Sequence, residues 1–596
     1  RMVTRLVAAI ALIASSLALD DLIAMTSYGA IQGYESTSVD GTRVRIFKSV
    51  PFAAPPVSKR RWQVPEWPEH WEGVKDGRKY SAACMSNSTT SKSPQKWVDE
   101  DCLYLNIFAH GDCSAANKCP VIVYYHGGGM NYDSAVYFND TAIVESLASK
   151  GVVFVIPAFR LGFTGQFTLG DLVPSNLGIH DALQALRFMK QEAAAFGGDG
   201  DAMTVLGHSF GGAMAIMLAF SPIRKLQIPI HQFIIMSPGL YSEPPEINSN
   251  LSEEMISRAD CSSLSDRRAL SCMMKKSGPE LLAIQRAMEE ETYKSGGNSL
   301  FGGITLGSPL FPYSSIPEML EHPPNANIVI GSTTGELDSQ YTPGLQTSLG
   351  SGVGVLVGAK NAAELDDLYS NLTQSGKTNQ THAPNSQSIY VAVHQTASSV
   401  MKGGNNVFLY SYDQPTHNRH TDDLSYLLGI HSFEQDENEK EIAKFYPELF
   451  INFTKFGVPS PEWKPMNTKD RHFSIAVNLT TGRMPELRDF YEKETIDFWV
   501  RAAPSIDKKI TIAKKLGKVT VGLRDFTIED ESEPAKTDET YVPVVVVYAS
   551  YFPSLLLLCV VFLIGLSLGR YFLGDATKQE RLWILSPSDR RNGNYN

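Results

Sequence analysis

The sequence predicts an α/β protein, with a mostly parallel central sheet and helices on both of its faces. Three observations predict it. Several short segments are apolar on consecutive rather than alternate positions, as strands covered on both faces require. Helical patterns fall between those segments, and alternation of the two signals implies a wound sheet. A Gly-x-Ser-x-Gly string stands where one such strand gives way to a helix.

Taken in order, the apolar runs are Val121 to Tyr125, Val152 to Ile156, Met203 to Leu206, Phe233 to Met236 and Asn327 to Ile330. Val407 to Tyr412 reads as a further strand, and Asp181 to Phe196 and Gly212 to Phe220 are the clearest helices. No internal repeat breaks this region, so residues 19–524 read as one domain. Of the 596 residues, 43% are hydrophobic and 20% charged, which is ample for a core. The net charge is −11 and the long central part has no basic block, so phosphate backbones find no footing; nucleic acid is excluded as a partner.

The two ends carry targeting signals. Arg1 and Arg5, the apolar run Leu6 to Ala14 and the small residues of Ser16-Leu17-Ala18 read as a secretory signal over 1–18. That run is too short to span a bilayer comfortably. Asp525 to Glu539 is acidic and polar with little to bury, a stalk over 525–541. Thr540 to Gly569 holds no charged residue, and 542–569 is expected to form a transmembrane helix, with Pro543 and Pro553 near its start. Arg570, Lys578, Arg581, Arg590 and Arg591 follow it as a cytoplasmic tail, 570–596. The expectation is a single-pass type I membrane protein whose main domain is extracellular or lumenal.

Cysteine usage agrees with that compartment. Cys84, Cys102, Cys113, Cys119, Cys261 and Cys272 form an even set, and Cys559 sits in the apolar span. Disulfides persist in oxidising space, and pairing between sequence neighbours gives three small loops. A zinc site is not expected, because no Cys-x-x-Cys pair accompanies a histidine cluster. Asn87, Asn139, Asn250, Asn371, Asn379, Asn452 and Asn478 head glycosylation sequons.

The chemistry-bearing string is Gly207-His208-Ser209-Phe210-Gly211, between the strand Met203 to Leu206 and a helix. The chain must turn so sharply there that side chains at the glycine positions would clash, and the turn lifts the serine hydroxyl clear of the sheet. His126-Gly127-Gly128-Gly129 follows the strand Val121 to Tyr125 directly. Glycine lets backbone N–H groups approach a developing oxyanion, so Gly128 and Gly129 are assigned as donors with Phe210 as a third. A serine nucleophile needs a histidine base and an orienting acid, in the chain order serine, acid, histidine. Glu336 follows the run ending at Ile330, and His420 follows Val407 to Tyr412; Asp338 and His417 remain alternatives. Such a site supplies its own nucleophile and acid–base group, so neither metal nor organic cofactor is implied.

Ordered segments across nearly all of 19–524 resemble the type-B carboxylesterase and cholinesterase family. They are Pro51-Phe52-Ala53-Ala54-Pro55-Pro56 with Arg61-Trp62, Glu100-Asp101-Cys102-Leu103-Tyr104-Leu105-Asn106, Arg160-Leu161-Gly162, Asn176-Leu177-Gly178 and Phe196-Gly197-Gly198-Asp199. The resemblance implies an α/β-hydrolase fold and hydrolysis of a small-molecule carboxylic ester by Ser209, His420 and Glu336. It also implies Cys84–Cys102 and Cys261–Cys272 disulfides and an Arg61–Glu100 ion pair; Cys113–Cys119 has no family counterpart. A second copy of the chain or a cell-surface protein are the partner classes it leaves open. One alternative is an adhesion protein of the neuroligin or gliotactin kind, whose chemistry is lost; another is a cholinesterase. Two positions depart from the family: His208 replaces a glutamate before the nucleophile, and Phe210 an alanine after it. The missing carboxylate, and Trp97 at a different distance from Cys102 than the family's choline-binding tryptophan, argue against acetylcholine.

Overall fold

The computed structural model describes residues 21–86, 97–136, 138–222, 228, 230–240, 242–243, 245–294, 300–338, 353–354, 356–374 and 382–516. The expected signal, stalk, transmembrane helix and tail lie outside these residues, as do Asn87, Asn379 and Cys559. Among the described residues no helix is long and apolar enough to cross a membrane.

The apolar runs form the middle of one eleven-stranded sheet. Its strands are β1 (Tyr34–Thr37), β2 (Arg43–Pro51), β3 (Tyr104–His110), β4 (Cys119–Tyr125), β5 (Val153–Pro157), β6 (Gly198–His208), β7 (Ile230–Met236), β8 (Asn327–Thr333), β9 (Val407–Tyr412), β10 (His472–Ile475) and β11 (Glu486–Arg488). They lie in the order β1-β2-β3-β5-β4-β6-β7-β8-β9-β10-β11. From β5 to β10 every neighbouring pair is parallel, with Val123 of β4 opposite both Val155 and Val205. Every residue of β5 and β9 is buried, which is why their sequences are continuously rather than alternately apolar.

The antiparallel flank β1-β2-β3 and the antiparallel edge strand β11 are not in the sequence reading. The β2 sequence hides its character by carrying buried charges. Arg45 donates to the carbonyls of Cys113 and Phe196, and Lys48 pairs with Asp140. A buried charge is tolerated when it is paired in this way, but hydropathy cannot register the pairing.

The helices that matter here are α1 (Leu177–Glu192), α2 (Phe210–Phe220), α3 (Pro245–Arg258), α4 (Asp266–Met273), α5 (Gly278–Lys294), α6 (Pro384–Lys402) and α7 (Glu437–Phe456). Helix α2 is buried along almost its whole length, so it is apolar all round rather than amphipathic. Helix α7 starts with a capping box, in which Asp436 and Glu439 each accept the other's backbone N–H, and it ends at Gly457 with φ 75°. Helices α3 to α5 gather round a second apolar cluster that includes Trp62, Phe163, Met255 and Leu281.

Three disulfides, Cys84–Cys102, Cys113–Cys119 and Cys261–Cys272, close short loops. Arg61 donates to both oxygens of Glu100 at 2.6 Å and also to the carbonyls of Met273 and Lys276, tying the early chain to the end of α4. Arg160 and Asp181 form a fully buried two-pronged pair at 2.8 and 2.7 Å that fixes the Arg160-Leu161-Gly162 turn against α1.

Candidate active site

Strand β6 ends at His208, helix α2 begins at Phe210, and Ser209 alone makes the turn with φ 57° and ψ −122°. A side chain in that conformation is strained, and strain of this kind persists only where the surroundings enforce it. The flanking glycines do so. A Cβ on Gly207 would lie 2.0 Å from the Gly211 carbonyl oxygen, and one on Gly211 would lie 1.9 Å from that of Tyr125. The Ser209 N–H donates to the Met236 carbonyl at 2.9 Å, pinning the turn to β7.

Two loops at the ends of β8 and β9 approach this turn, joined by backbone hydrogen bonds. The Thr334 N–H donates to Tyr412, Gly335 to Asn418, and His420 to Glu336, at 3.1, 2.8 and 2.9 Å. That zipper sets Glu336 beside His420. The His420 Nδ1 faces Glu336 Oε2, the Nε2 stands 2.9 Å from Ser209 Oγ, and the other carboxylate oxygen of Glu336 accepts the Thr333 N–H at 2.9 Å. The Glu336 side chain is wholly buried. Burial by itself would push the His420 imidazole down, but the carboxylates of Glu336, Asp423 and Asp422 outweigh it and hold the pKa above the ordinary histidine value.

Asp338 and His417 belong to other arrangements. Asp338 accepts from the Ala383 N–H and the Ser386 hydroxyl at 2.8 and 2.6 Å and lies 2.6 Å from His382 Nδ1. Burial opposes a charge on His382, yet Asp338 and Glu492 push its pKa up to about 9, so the cluster is an ionic clasp between the β8 loop and the start of α6. His417 lies 2.6 Å from Glu439 and stacks on Phe433 with 3.9 Å between ring centres.

The glycine loop after β4 packs directly on the Ser209 turn. A Cβ on Gly127 would stand 2.9 Å from Ser209 Cβ, and Gly128 and Gly129 adopt φ 96° and 57°. His126 itself is buried, stacks on Phe159 at 4.4 Å between centres and has its pKa lowered to about 4 by burial, so it is a neutral structural residue. The ring of Phe210 joins the main apolar core, and the residue is only 5% exposed. Trp97, weighed as an aromatic face for a cation, is 58% exposed. Among the described residues no group of three or more His, Cys, Asp or Glu could hold a metal ion.

Two neighbours of His420 were not among the site residues expected from the sequence. Asp423 is fully buried, accepts from the Tyr446 and Tyr410 hydroxyls at 2.9 and 3.3 Å, and has its pKa raised to about 7 by burial and by the Glu336 charge. His208, seen only as a departure from the family pattern, lies with its ring centre 4.8 Å from that of His420. Asp423 lies three residues after His420, and no spacing rule singles it out.

Comparison with known proteins places these features in context. A model of the carboxylesterase family matches residues 20–499. A pyrethroid hydrolase of Rattus norvegicus is 26% identical over 511 residues, covering 77% of this chain and 86% of its own. A medium-chain fatty acyl-CoA hydrolase precursor of Anas platyrhynchos is 25% identical over 537 residues, covering 81% and 92%. The cocaine esterase of Homo sapiens reaches 33% identity over a shorter span of 259 residues, 41% of this chain and 45% of its own.

Proposed function

Because the chain belongs to the carboxylesterase family and is a carboxylic-ester hydrolase, we propose that it works through an acyl-enzyme on Ser209. The Ser209 Oγ attacks the ester carbonyl while His420 Nε2 takes its proton, and the same nitrogen returns that proton to the departing alcohol. Water then repeats the sequence on the acyl-enzyme, again with His420 as base. Glu336 holds the imidazole with its proton on Nδ1 and offsets the charge of the imidazolium. The N–H groups of Gly128, Gly129 and Phe210 bind the oxyanion. The observation that carries this reading is the 2.9 Å approach of His420 Nε2 to Ser209 Oγ, with Glu336 on the far side of the same ring.

Small uncharged carboxylic esters are the proposed substrates. Purified protein is expected to hydrolyse a short-chain aryl ester with a burst of one alcohol per active site, at a rate that falls as acidification protonates His420. Absence of turnover across a panel of aryl and alkyl esters would count against the reading.

The proposed setting is a membrane anchor at 542–569 with the catalytic domain outside the cytoplasm and the 1–18 signal removed. Three disulfides in the described domain support an oxidising compartment. A chain ending at residue 524 should be released in soluble form into the medium of expressing cells; retention of that truncated chain on membranes would contradict the anchor.

A further inference from the structure

We propose that His208 is a positioning and specificity residue: an imidazole packed on His420 that holds the base in plane and puts no carboxylate at the position before the nucleophile, so that the enzyme selects esters of neutral alcohols and thiols. This rests on the acyl-enzyme reading above and deepens it.

His208 is the last residue of β6, one position before the nucleophile, and it pairs with Met236 of β7. It is 2% exposed, its Nε2 is buried with no hydrogen-bond partner, and its ring is tilted 42° to that of His420. A buried polar atom with no partner is costly, and a polar side chain kept next to a reacting group at that cost calls for a reason in the chemistry. The surrounding charges decide which ring takes the proton. Glu336, Asp422 and Asp423 face His420, whereas His208 is faced by His420 and His431. Burial, and then the proximity of those two histidines, keep His208 neutral, so the proton taken from Ser209 stays on His420.

The leaving group brings His208 into specificity. To receive its proton, the departing oxygen or sulfur must come within hydrogen-bonding reach of His420 Nε2. The atoms bonded to it then stand beside the His420 ring, against which His208 packs. A cationic alcohol there meets a neutral imidazole, with no carboxylate from this position to pair with it. A carboxylate in its place would attract the cation and would also stabilise His420 in the protonated, inactive form.

Three variants test this, with active sites counted by fluorophosphonate titration so that misfolded protein does not enter the rates. The readouts are the pH profile of kcat/KM, kcat and KM for a neutral thioester, and the kcat/KM ratio between a thiocholine ester and that thioester with the same acyl group. His208→Glu should move the acid limb up by about one pH unit, a tenfold change in the protonation equilibrium, and raise the cationic-to-neutral ratio about tenfold. His208→Gln, similar in size and uncharged, should leave limb and ratio as in the wild type. His208→Ala should lower kcat about tenfold by loosening the base while leaving KM for the neutral thioester nearly unchanged. An unaltered limb and ratio in His208→Glu, or equal shifts in His208→Gln and His208→Glu, would overturn the role of His208. Full activity in a protein lacking the Ser209 hydroxyl would instead overturn the acyl-enzyme reading beneath it.

Discussion

Ser209→Ala is expected to lower kcat for a short-chain aryl ester by about 10⁴- to 10⁶-fold, the range seen when a serine hydrolase loses its nucleophile. The substitution removes one oxygen atom, the Oγ that lies 2.9 Å from His420 Nε2. It leaves the strained turn in place, because φ 57° is imposed by Gly207, Gly211 and the Met236 hydrogen bond rather than by the hydroxyl. The folded state should therefore survive, with a melting temperature within a few degrees of wild type, and a small residual rate from the oxyanion donors should remain. A variant rate within tenfold of wild type, measured on enzyme freed of contaminating esterase, would exclude the mechanism.

Glu336→Gln is the second large effect, an expected loss of about 10³- to 10⁴-fold in kcat with the fold intact. The carboxylate accepts from the Thr333 N–H on one oxygen and faces His420 Nδ1 with the other. An amide is nearly the same shape but presents an NH₂ group as well as an oxygen. With the amide oxygen held by Thr333, the NH₂ faces Nδ1 and favours the tautomer protonated on Nε2, which cannot accept the serine proton. The lost negative charge also lets the His420 pKa fall, so the acid limb of kcat/KM should move to lower pH even as the plateau collapses. A plateau close to that of wild type would show that the contact orients nothing of consequence.

The bend at Ser209 was legible because a tight turn leaves a strict trace in the sequence. Glycine at 207 and 211 is forced by backbone oxygens about 2 Å from where a Cβ would sit, and that constraint is local. Strands β4 to β9 were legible because burial on both faces makes continuous apolar runs. The choice between Glu336 and Asp338, or between His420 and His417, was not legible from composition. In each pair both side chains are polar, lie close in sequence and find a partner within about 3 Å. What separates them is the backbone zipper between the β8 and β9 loops, a contact between segments 78 to 84 residues apart that no local pattern records. The flank β1-β2-β3 stayed hidden for a related reason: Arg45 and Lys48 are paired only once distant segments have folded round them. The proximity of His208 to His420 needed the same long-range contact, although the unusual residue at that position already marked it.

The measurement that bears most directly on the central claim is the location of a covalent adduct. After treatment with a fluorophosphonate and proteolysis, mass spectrometry should find one phosphonylated residue, Ser209, at a stoichiometry that matches the loss of esterase activity. A label on any other residue, or full inhibition with an unmodified Ser209 peptide, would contradict it.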